Sequence, residues 1–459
     1  KNRTLYVDGV GVAGTDPILQ TDQKTLAHVP MMLLARPRSA LTVGFGGGGA
    51  SYSLLLHDRL RRVDCVEICR TVLEAAPWLE AANHRFFEDL TPEAFAARDD
   101  RYNLILDDAR AFLRYTRQRY DFIATDCTDL RYKSNANLYD LQYFQACRER
   151  LTPDGIVVVW MPLAGLSEHV FKIALRTFHA VFPQMGIFYM DNEPTHYILL
   201  IGWQEKIRLD YRLFELTLGE ADVRADLAQL RLDDPVKLLS CFITGGEALW
   251  RYLGDGPLNT ENHPLIEFES PKYGFSDKPL IDNLDKLMRV RVSPLEFIEP
   301  GGIPPAERER LERYEKALPY IIAGHAHYRS IEREGAFASM EAATRDYLKA
   351  AELAPEDLSV KRLLQFPLLS QRLELEPNNA VLFLLFARVY MIQDDRYKLE
   401  MGYDALRRAT MILEDRLKAL AAPPKGADAA QLEAQRKETE QGLAMARQWL
   451  GEVRAQLAR

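Results

Sequence analysis

Short apolar runs alternate with longer stretches of helical periodicity through the first two hundred residues. The apolar runs have the length of buried strands, and the stretches between them place apolar residues three and four positions apart. Strands are predicted at 40–43, 63–68, 102–106, 120–125, 156–160, 187–190 and 197–201. Helices are predicted at 21–34, 50–60, 109–117, 138–151 and 167–182. This alternation predicts an α/β fold, a Rossmann-like, mostly parallel doubly wound sheet with helices on both faces.

Two prolines and a glycine are expected to limit these elements. Pro30 lies inside the first helical pattern and predicts a kink or an early end, because proline lacks the N–H that a helix interior needs. Pro153, Asp154 and Gly155 are predicted to separate the helix at 138–151 from the strand at 156–160.

The chain divides into four predicted regions. Residues 1–38 hold a small β-hairpin, turning at Asp8 and Gly9, and the first helix. Residues 39–205 form the Rossmann-like domain, 206–300 an accessory segment and linker, and 301–459 a helical domain. Within the helical domain, 347–357 and 373–380 echo one another and resemble the junctions of tetratricopeptide repeats, which bind protein partners. A plain helical bundle is the alternative.

A glycine-rich loop follows the first strand of the Rossmann-like domain. Gly44, Gly46 and Gly49 fit G-x-G-x-x-G, with Gly47 inside the loop, and a helical pattern follows. Glu67 closes the second strand, where a carboxylate can reach ribose hydroxyls. Because glycines permit a tight turn and the close approach of a ligand to backbone N–H groups, the loop predicts a nucleoside site.

Acidic residues follow two later strands of the predicted sheet. Asp107 and Asp108 come after one strand, and Asp126 and Asp129 after the next. Ligands of such sheets bind beyond the carboxyl ends of the strands, so these side chains are expected to share one crevice with the glycine loop. Carboxylates there can take a proton from an amine, whereas in isolation Asp126 and Asp129 would be interpreted as turn caps.

Composition argues against several classes of function. A net charge of −8 and a pI near 5.7 argue against nucleic acid as a partner, which requires a basic surface. The cysteines and histidines show no metal-ligand spacing, so no metal is expected; His57 and His84 are interpreted as surface positions. The unpaired cysteines and the lack of an apolar run long enough to span a membrane favour a cytoplasmic protein. Because the chain begins at Lys1 rather than Met, the soluble part of a membrane-attached protein is the alternative interpretation.

Residues 1 to about 205 resemble the spermidine synthase family, the polyamine aminopropyltransferases. The matching segments are LYVDG at 5–9, LAHVP at 26–30, the glycine loop, VEI at 66–68, Asp108 with Ala109, YDFIATDCTD at 120–129, NLY at 137–139, Phe144 and LTPDG at 151–155. NTENHP at 259–264 is similar to a segment of larger bacterial spermidine-synthase-like proteins. The resemblance implies decarboxylated S-adenosylmethionine or S-adenosylmethionine as co-substrate, an amine or polyamine as acceptor, and a homodimer.

The resemblance also implies roles for single residues. Glu67 would bind the ribose hydroxyls, Asp108, followed by Ala109, the adenine amino group, and Gln23 the nucleoside. Asp126 would deprotonate the attacking amine, and Asp129 would orient it.

Two departures keep other functions open. The acidic residue that this family carries in its glycine loop is Gly47 here, and the family's Tyr-His/Gln-Glu motif falls on Asp22, Gln23 and Lys24. Lys24 would repel a cationic amine if it lay in the amine pocket. The alternatives are another S-adenosylmethionine-dependent enzyme, such as a methyltransferase, and a non-catalytic module that binds a partner through its helical domain.

Overall fold

The computed structural model divides the chain into two compact units, Lys1–Glu315 and Lys316–Arg459. The structure describes residues 2–457 apart from 8, 88, 90–97, 127–129, 131–134, 274–276, 335–336, 365–372, 374–376, 392–395 and 423–427. Its strands are β1 Thr4–Val7, β2 Val10–Gly14, β3 Ser39–Val43, β4 Arg62–Glu67, β5 Tyr102–Leu106, β6 Tyr120–Thr125, β7 Leu151–Pro162, β8 Gln184–Phe188, β9 Tyr197–Trp203 and β10 Phe242–Gly245.

The helices before residue 300 surround these strands. They are α1 Pro17–Leu33, α2 Gly49–Leu55, α3 Arg70–Glu74, α4 Glu80–Asn83, α5 Ala109–Tyr115, α6 Leu141–Glu149, α7 Glu168–Val181, α8 Tyr211–Leu218, α9 Ala221–Ala228, α10 Pro235–Ser240, α11 Gly246–Leu253, α12 Leu265–Glu269 and α13 Lys278–Arg289. The helices that follow are α14 Pro305–Glu334, α15 Phe337–Leu353, α16 Leu358–Leu363, α17 Ala380–Met391, α18 Arg396–Ala421 and α19 Ala429–Leu457.

An eight-stranded sheet in the order β10-β8-β9-β7-β6-β3-β4-β5 forms the centre of the first unit. The five strands from β7 to β5 are parallel, and β9, β8 and β10 extend the sheet with antiparallel pairings. Every residue of β3 and of β9 is buried, as expected of strands covered on both faces. The Rossmann-like fold is therefore confirmed, as is the separate hairpin of β1 and β2.

Several predicted boundaries are wrong for local reasons. Strand β7 continues through Pro153 and Gly155, because its ladder with β6 shifts register there and the irregularity accommodates both residues. Helix α1 continues past Pro30 to Leu33, with its last turn buried. Helix α6 begins after Asp140, whose side chain accepts the N–H of Tyr143 and caps it. Helix α2 stops at Leu55, and β8 starts at Gln184.

The accessory segment belongs to the same compact unit as the sheet. It contributes α8 to α13 and the edge strand β10, which pairs with β8 and was not predicted. Sequence periodicity missed β10 because a run of four residues is too short to separate from a loop.

The second unit is helical. Helices α17, α18 and α19 pack around a buried cluster that includes Leu384, Leu406 and Leu443. Helices α18 and α19 are separated by residues 422–428, of which 423–427 lie outside the described residues, as do 374–376 of the echo at 373–380. The tetratricopeptide resemblance remains a prediction. Among the described helices, none is both long and apolar enough to cross a membrane.

Candidate active site

A cavity of about 290 Å³ opens at the carboxyl ends of β3, β4, β5 and β6. This volume lies near the lower end of the roughly 300–1,000 Å³ of small-molecule sites. Six of the residues proposed from the sequence line it: Gly44, Gly46, Glu67, Asp108, Ala109 and Asp126. Gln23, Gly47 and Gly49 belong to the layer behind that wall, and Asp129 lies outside the described residues. Parallel strands bring these segments together because their carboxyl ends share one edge.

Gly44 has to be glycine for two reasons. Its φ of +96° is in the left-handed region, and a Cβ atom there would lie 2.5 Å from the carbonyl oxygen of Asp126. The Gly44 N–H donates to the Val66 carbonyl at 2.9 Å, so the loop leaves β3 pressed against the ends of both neighbouring strands.

Glu67 supports the loop from the end of β4. Its Oε2 accepts the N–H of Phe45 at 2.9 Å and its Oε1 accepts the N–H of Cys69 at 2.8 Å. A carboxylate oxygen can accept a second hydrogen bond, so these contacts leave capacity for ligand hydroxyls at the cavity wall. Glu67 is therefore a support of the loop as well as the predicted ribose ligand.

Two amide side chains hold the loop from behind. Gln23 Oε1 accepts the N–H of Gly49 at 3.1 Å, and Asn83 Nδ2 donates to the Gly47 carbonyl at 2.9 Å. Both side chains are buried. The resemblance assigned Gln23 to the nucleoside, whereas its visible contact is with the loop. Asn83 carried no signal in the sequence, because only tertiary packing brings it to Gly47.

Asp108 stands at the opposite edge of the cavity. It is the N-cap of α5, and its Oδ1 accepts the N–H of Ala111 at 2.8 Å. The cap bond fixes the carboxyl group at the start of the helix, where a ligand in the cavity can reach it.

Asp126 at the cavity wall and the buried Asp22 lie close enough for their carboxyl groups to interact. Burial, and then the charge of Glu67, raise the pKa of Asp126 to about 7. Burial and the neighbouring Asp126 raise the pKa of Asp22 well above its ordinary value. Asp22 Oδ1 has no hydrogen-bond partner within the described part of the chain.

Aromatic rings lie on the side of this pair that faces β7 and β9. Trp160 of β7 lies close enough to Asp22 to lower the pKa of the Asp22 carboxyl group. The Trp160 ring stacks on the ring of Tyr197 in β9, with the two ring centroids 5.6 Å apart. The carboxyl groups of Asp22 and Asp126 in turn raise the pKa of Tyr197, after burial. The cavity lies toward β3, β4 and β5, so Asp126 stands between the cavity and these rings.

The sequence of this region matches a known family. Residues 19–206 match the model of the spermine/spermidine synthase domain. We call residues 19–206 the synthase domain after this match. The glycine loop, Glu67, Asp108 and Asp126 all lie within it.

Polyamine aminopropyltransferases are among the relatives of the synthase domain. That of Nitrosomonas europaea is 34% identical over 133 residues, covering 29% of this chain and 38% of that protein. That of Buchnera aphidicola subsp. Acyrthosiphon pisum is 25% identical over 206 residues, covering 43% of this chain and 68% of that protein. The match thus spans well under half the length of the first relative. A crystal structure of spermidine synthase with the transition state analogue AdoDATO shares 19% identity at a TM-score of 0.40, covering 62% of this chain and 81% of that one, a likeness too weak to bear on function.

Lys24 lies elsewhere than its place in the family motif suggested. Its buried ammonium group donates to Asp226 Oδ1 at 2.5 Å and to Gln229 Oε1 at 3.0 Å. Asp226 therefore neutralises the charge of Lys24 inside the fold. Asp226 comes from α9, outside the synthase domain, and no pattern in the sequence connects it with Lys24.

The two histidines predicted as surface positions have different outcomes. The prediction for His57 is wrong, because His57 is fully buried and its Nε2 is 2.9 Å from Nδ1 of His28. His84 is exposed, as predicted, and stacks on Tyr52. Burial, the largest cause, lowers the pKa of His57 to about 4.

Gly47, where the family carries an acidic residue, is enclosed. A Cβ atom there would lie 3.0 Å from Leu79 Cδ1 and 3.4 Å from Gln23 Oε1. An aspartate at this position would require Leu79 to move, so the packing around the loop fits glycine.

The segment 259–264 supports the remaining wall of the cavity. Asn259 Nδ2 donates to the carbonyl oxygens of Tyr139 at 3.1 Å and Ala136 at 3.5 Å, next to the lining residues Asn135 and Asn137. Glu261 pairs with Arg110, which also lines the cavity. The synthase domain therefore relies on residues that follow it in the chain.

Proposed function

We propose that this protein transfers an aminopropyl group from decarboxylated S-adenosylmethionine to an amine, with Asp126 as the base. The observation that carries the proposal is that Asp126 lines the nucleoside-sized cavity and is also close enough to the buried carboxyl group of Asp22 to raise the pKa of that group. The amine would thus approach Asp126 from the side of Trp160 and Tyr197, while the donor occupies the cavity.

The reaction requires little chemistry from the protein. The amine nitrogen attacks the aminopropyl methylene carbon that is bonded to the sulfonium, so that a C–N bond forms and the bond between this carbon and sulfur breaks. The electron pair of the broken bond stays on sulfur, and neutral methylthioadenosine leaves. Asp126 takes one proton from the amine. Positioning the two substrates and accepting that proton are the contributions expected of the site.

The environment of Asp126 suits this role. A pKa of about 7 makes its carboxylate a better proton acceptor than an ordinary aspartate, while much of it remains ionised at neutral pH. The second carboxyl group at Asp22 and the neighbouring aromatic rings favour a cationic acceptor over a neutral one. A protonated polyamine is the acceptor class that fits these features.

Gly47 favours a second candidate function. Without a carboxylate at this position, the loop has no group there to bind the donor's terminal ammonium, so selection for the decarboxylated donor is relaxed. A methyltransferase that uses S-adenosylmethionine is the corresponding alternative.

Titration and turnover together distinguish these functions. The full chain is titrated calorimetrically with methylthioadenosine, S-adenosylmethionine and its decarboxylated form, and methylthioadenosine release is then measured with putrescine and with spermidine. We expect the decarboxylated donor to bind in preference to S-adenosylmethionine and amine to be required for release. Preference for S-adenosylmethionine without amine-dependent release would favour the methyltransferase. If none of the three nucleosides binds, both enzymes are excluded and a partner-binding module remains.

A further inference from the structure

The side chain of Asp226 accepts hydrogen bonds from two helices of the synthase domain. The carboxylate lies on α9, outside the residues that match the family model, and is almost fully buried. It accepts Lys24 Nζ at 2.5 Å and His28 Nε2 at 2.9 Å from α1, and Ser53 Oγ at 2.7 Å from α2. The hydrogen bond and charge of His28, together with those of Lys24, hold the pKa of Asp226 far below its ordinary value despite the opposing effect of burial.

The partners of Asp226 are chain neighbours of the residues that hold the glycine loop. Lys24 follows Gln23, which accepts the Gly49 N–H. His84, whose Nε2 is 3.9 Å from Asp226 Oδ1, follows Asn83, which donates to the Gly47 carbonyl. Ser53 lies one turn into α2, the helix that begins at Gly49. Of the elements that hold or continue the loop, α1, α2 and α4 are therefore each connected, within one residue or one helical turn, to the same carboxylate, whereas β4 holds the loop separately through Glu67.

We propose that Asp226 is a positioning residue for the glycine loop, and thereby for the donor. The fully buried ammonium group of Lys24 depends on this carboxylate for its charge partner. Removing the negative charge leaves the ammonium group in a low-dielectric site, where it must move or draw in water. Because Gln23 is the adjacent residue, a shift of Lys24 displaces the acceptor of the Gly49 N–H and releases the loop.

The test begins with the ligand-free full chain. In Asp226→Asn, we expect hydrogen–deuterium exchange of peptides covering 44–55 to accelerate at least tenfold, while peptides from β7 and β9 stay protected. Calorimetry is expected to give at least tenfold weaker binding of methylthioadenosine. If Asp226 contributed only to overall stability, Asp226→Asn would accelerate exchange throughout the sheet.

Another buried ion pair supplies the matched control. Asp191 and Lys237 lie 2.8 Å apart, and each side chain is 2% exposed. Asp191 follows β8 and Lys237 lies in α10, whereas the glycine loop follows β3, four strands from β8 in the sheet. Asp191→Asn is expected to lower the unfolding temperature but to leave loop exchange and methylthioadenosine affinity as in the wild type. Ser53→Ala removes one hydrogen bond to Asp226, and we expect it to accelerate exchange of the loop peptides and to weaken methylthioadenosine binding several-fold. This variant decides the question if Asp226→Asn does not fold.

Two results would overturn the proposal: wild-type loop exchange in both the Asp226 and Ser53 variants, or an equal effect of Asp191→Asn. The part that concerns the donor rests on the proposed function, whereas the exchange experiment needs no ligand. A wild-type chain that binds no nucleoside would therefore refute the function and still leave the role of Asp226 to be decided.

Discussion

At the residue scale, Asp126 combines two opposing requirements. A proton acceptor has to be ionised, whereas the water-excluded site that favours transfer disfavours the charged form. Burial together with Glu67 brings the pKa of Asp126 to about 7, close to the pH at which the protein would work. The sequence placed an aspartate at the end of β6, but its buried surroundings and its partner Asp22 follow only from the packing of α1 on the sheet.

Asp126→Asn keeps the size of the side chain and removes the proposed base. We expect methylthioadenosine affinity to be unchanged and methylthioadenosine release with putrescine to fall by about 10²- to 10⁴-fold, the usual contribution of a general base. Calorimetry and a release assay on the same sample separate the two quantities. Unchanged turnover would remove Asp126 as the base.

Gly44→Ala tests the close approach of the loop to β6. The substitution places a Cβ atom 2.5 Å from the Asp126 carbonyl oxygen and also forces a left-handed residue. Gly254→Ala is the matched control, since Gly254 also has positive φ but nothing lies within 4 Å of an added Cβ atom. Gly254 has a ψ of −172°, a conformation almost confined to glycine, so the control is expected to cost about 1–3 kcal/mol of unfolding free energy from backbone strain. We expect Gly44→Ala to cost about 2 kcal/mol more and to weaken nucleoside binding; equal costs measured by denaturant unfolding would contradict the clash.

At the element scale, the segment after the synthase domain completes the cavity. Asn259 is buried, bonds the carbonyl oxygens next to the lining residues Asn135 and Asn137, and accepts the N–H of Ile266 at 3.1 Å. The sequence marked this segment only through its resemblance to larger relatives. Its contact with the residues around Tyr139 could not be predicted, because local periodicity carries no information on which elements meet.

Asn259→Ala is expected to loosen that wall of the cavity. Losing its hydrogen bonds should cost about 2 kcal/mol of unfolding free energy and raise the Kd of methylthioadenosine several-fold. Asn283→Ala is the matched control, because buried Asn283 likewise donates to two carbonyl oxygens, of Leu163 and Leu166. We expect the control to lose comparable stability with an unchanged Kd. Equal Kd values in the two variants would show that the wall does not depend on Asn259.

At the scale of the whole molecule, buried ionisable groups connect the accessory segment to the synthase domain. His57 lies between His28 and Glu220, with Arg59 also near, and Asp226 holds Lys24 and His28. These contacts join α1 and α2 to α9 within one compact unit. Its stability should therefore depend on the protonation of this interior.

His57 predicts the direction of that pH dependence. Its folded pKa of about 4 is below the ordinary value of 6.5, so the unfolded chain binds the proton first as the pH falls. The stabilisation is complete above pH 6.5 and is lost between about 6.5 and 4, by about 3 kcal/mol in total. Burial also lowers the pKa values of His84 and His179, which are less buried than His57. In His57→Gln, we expect the unfolding free energy, measured by denaturant between pH 7 and 4.5, to fall less steeply; identical slopes would contradict the prediction.

The sequence by itself determined the strand and helix succession, the glycine loop, and the carboxylates at strand ends, because these depend on local periodicity and on the fixed edge at which parallel strands end. Tertiary structure alone decided the partner of Lys24, the burial of His57, the support of the loop by Gln23 and Asn83, and the entry of β10 into the sheet. Each of these depends on which elements pack together, and Lys24 and Asp226 are 202 positions apart in the chain. A charge that appears misplaced in a linear motif is neutralised by a residue that no local pattern could identify.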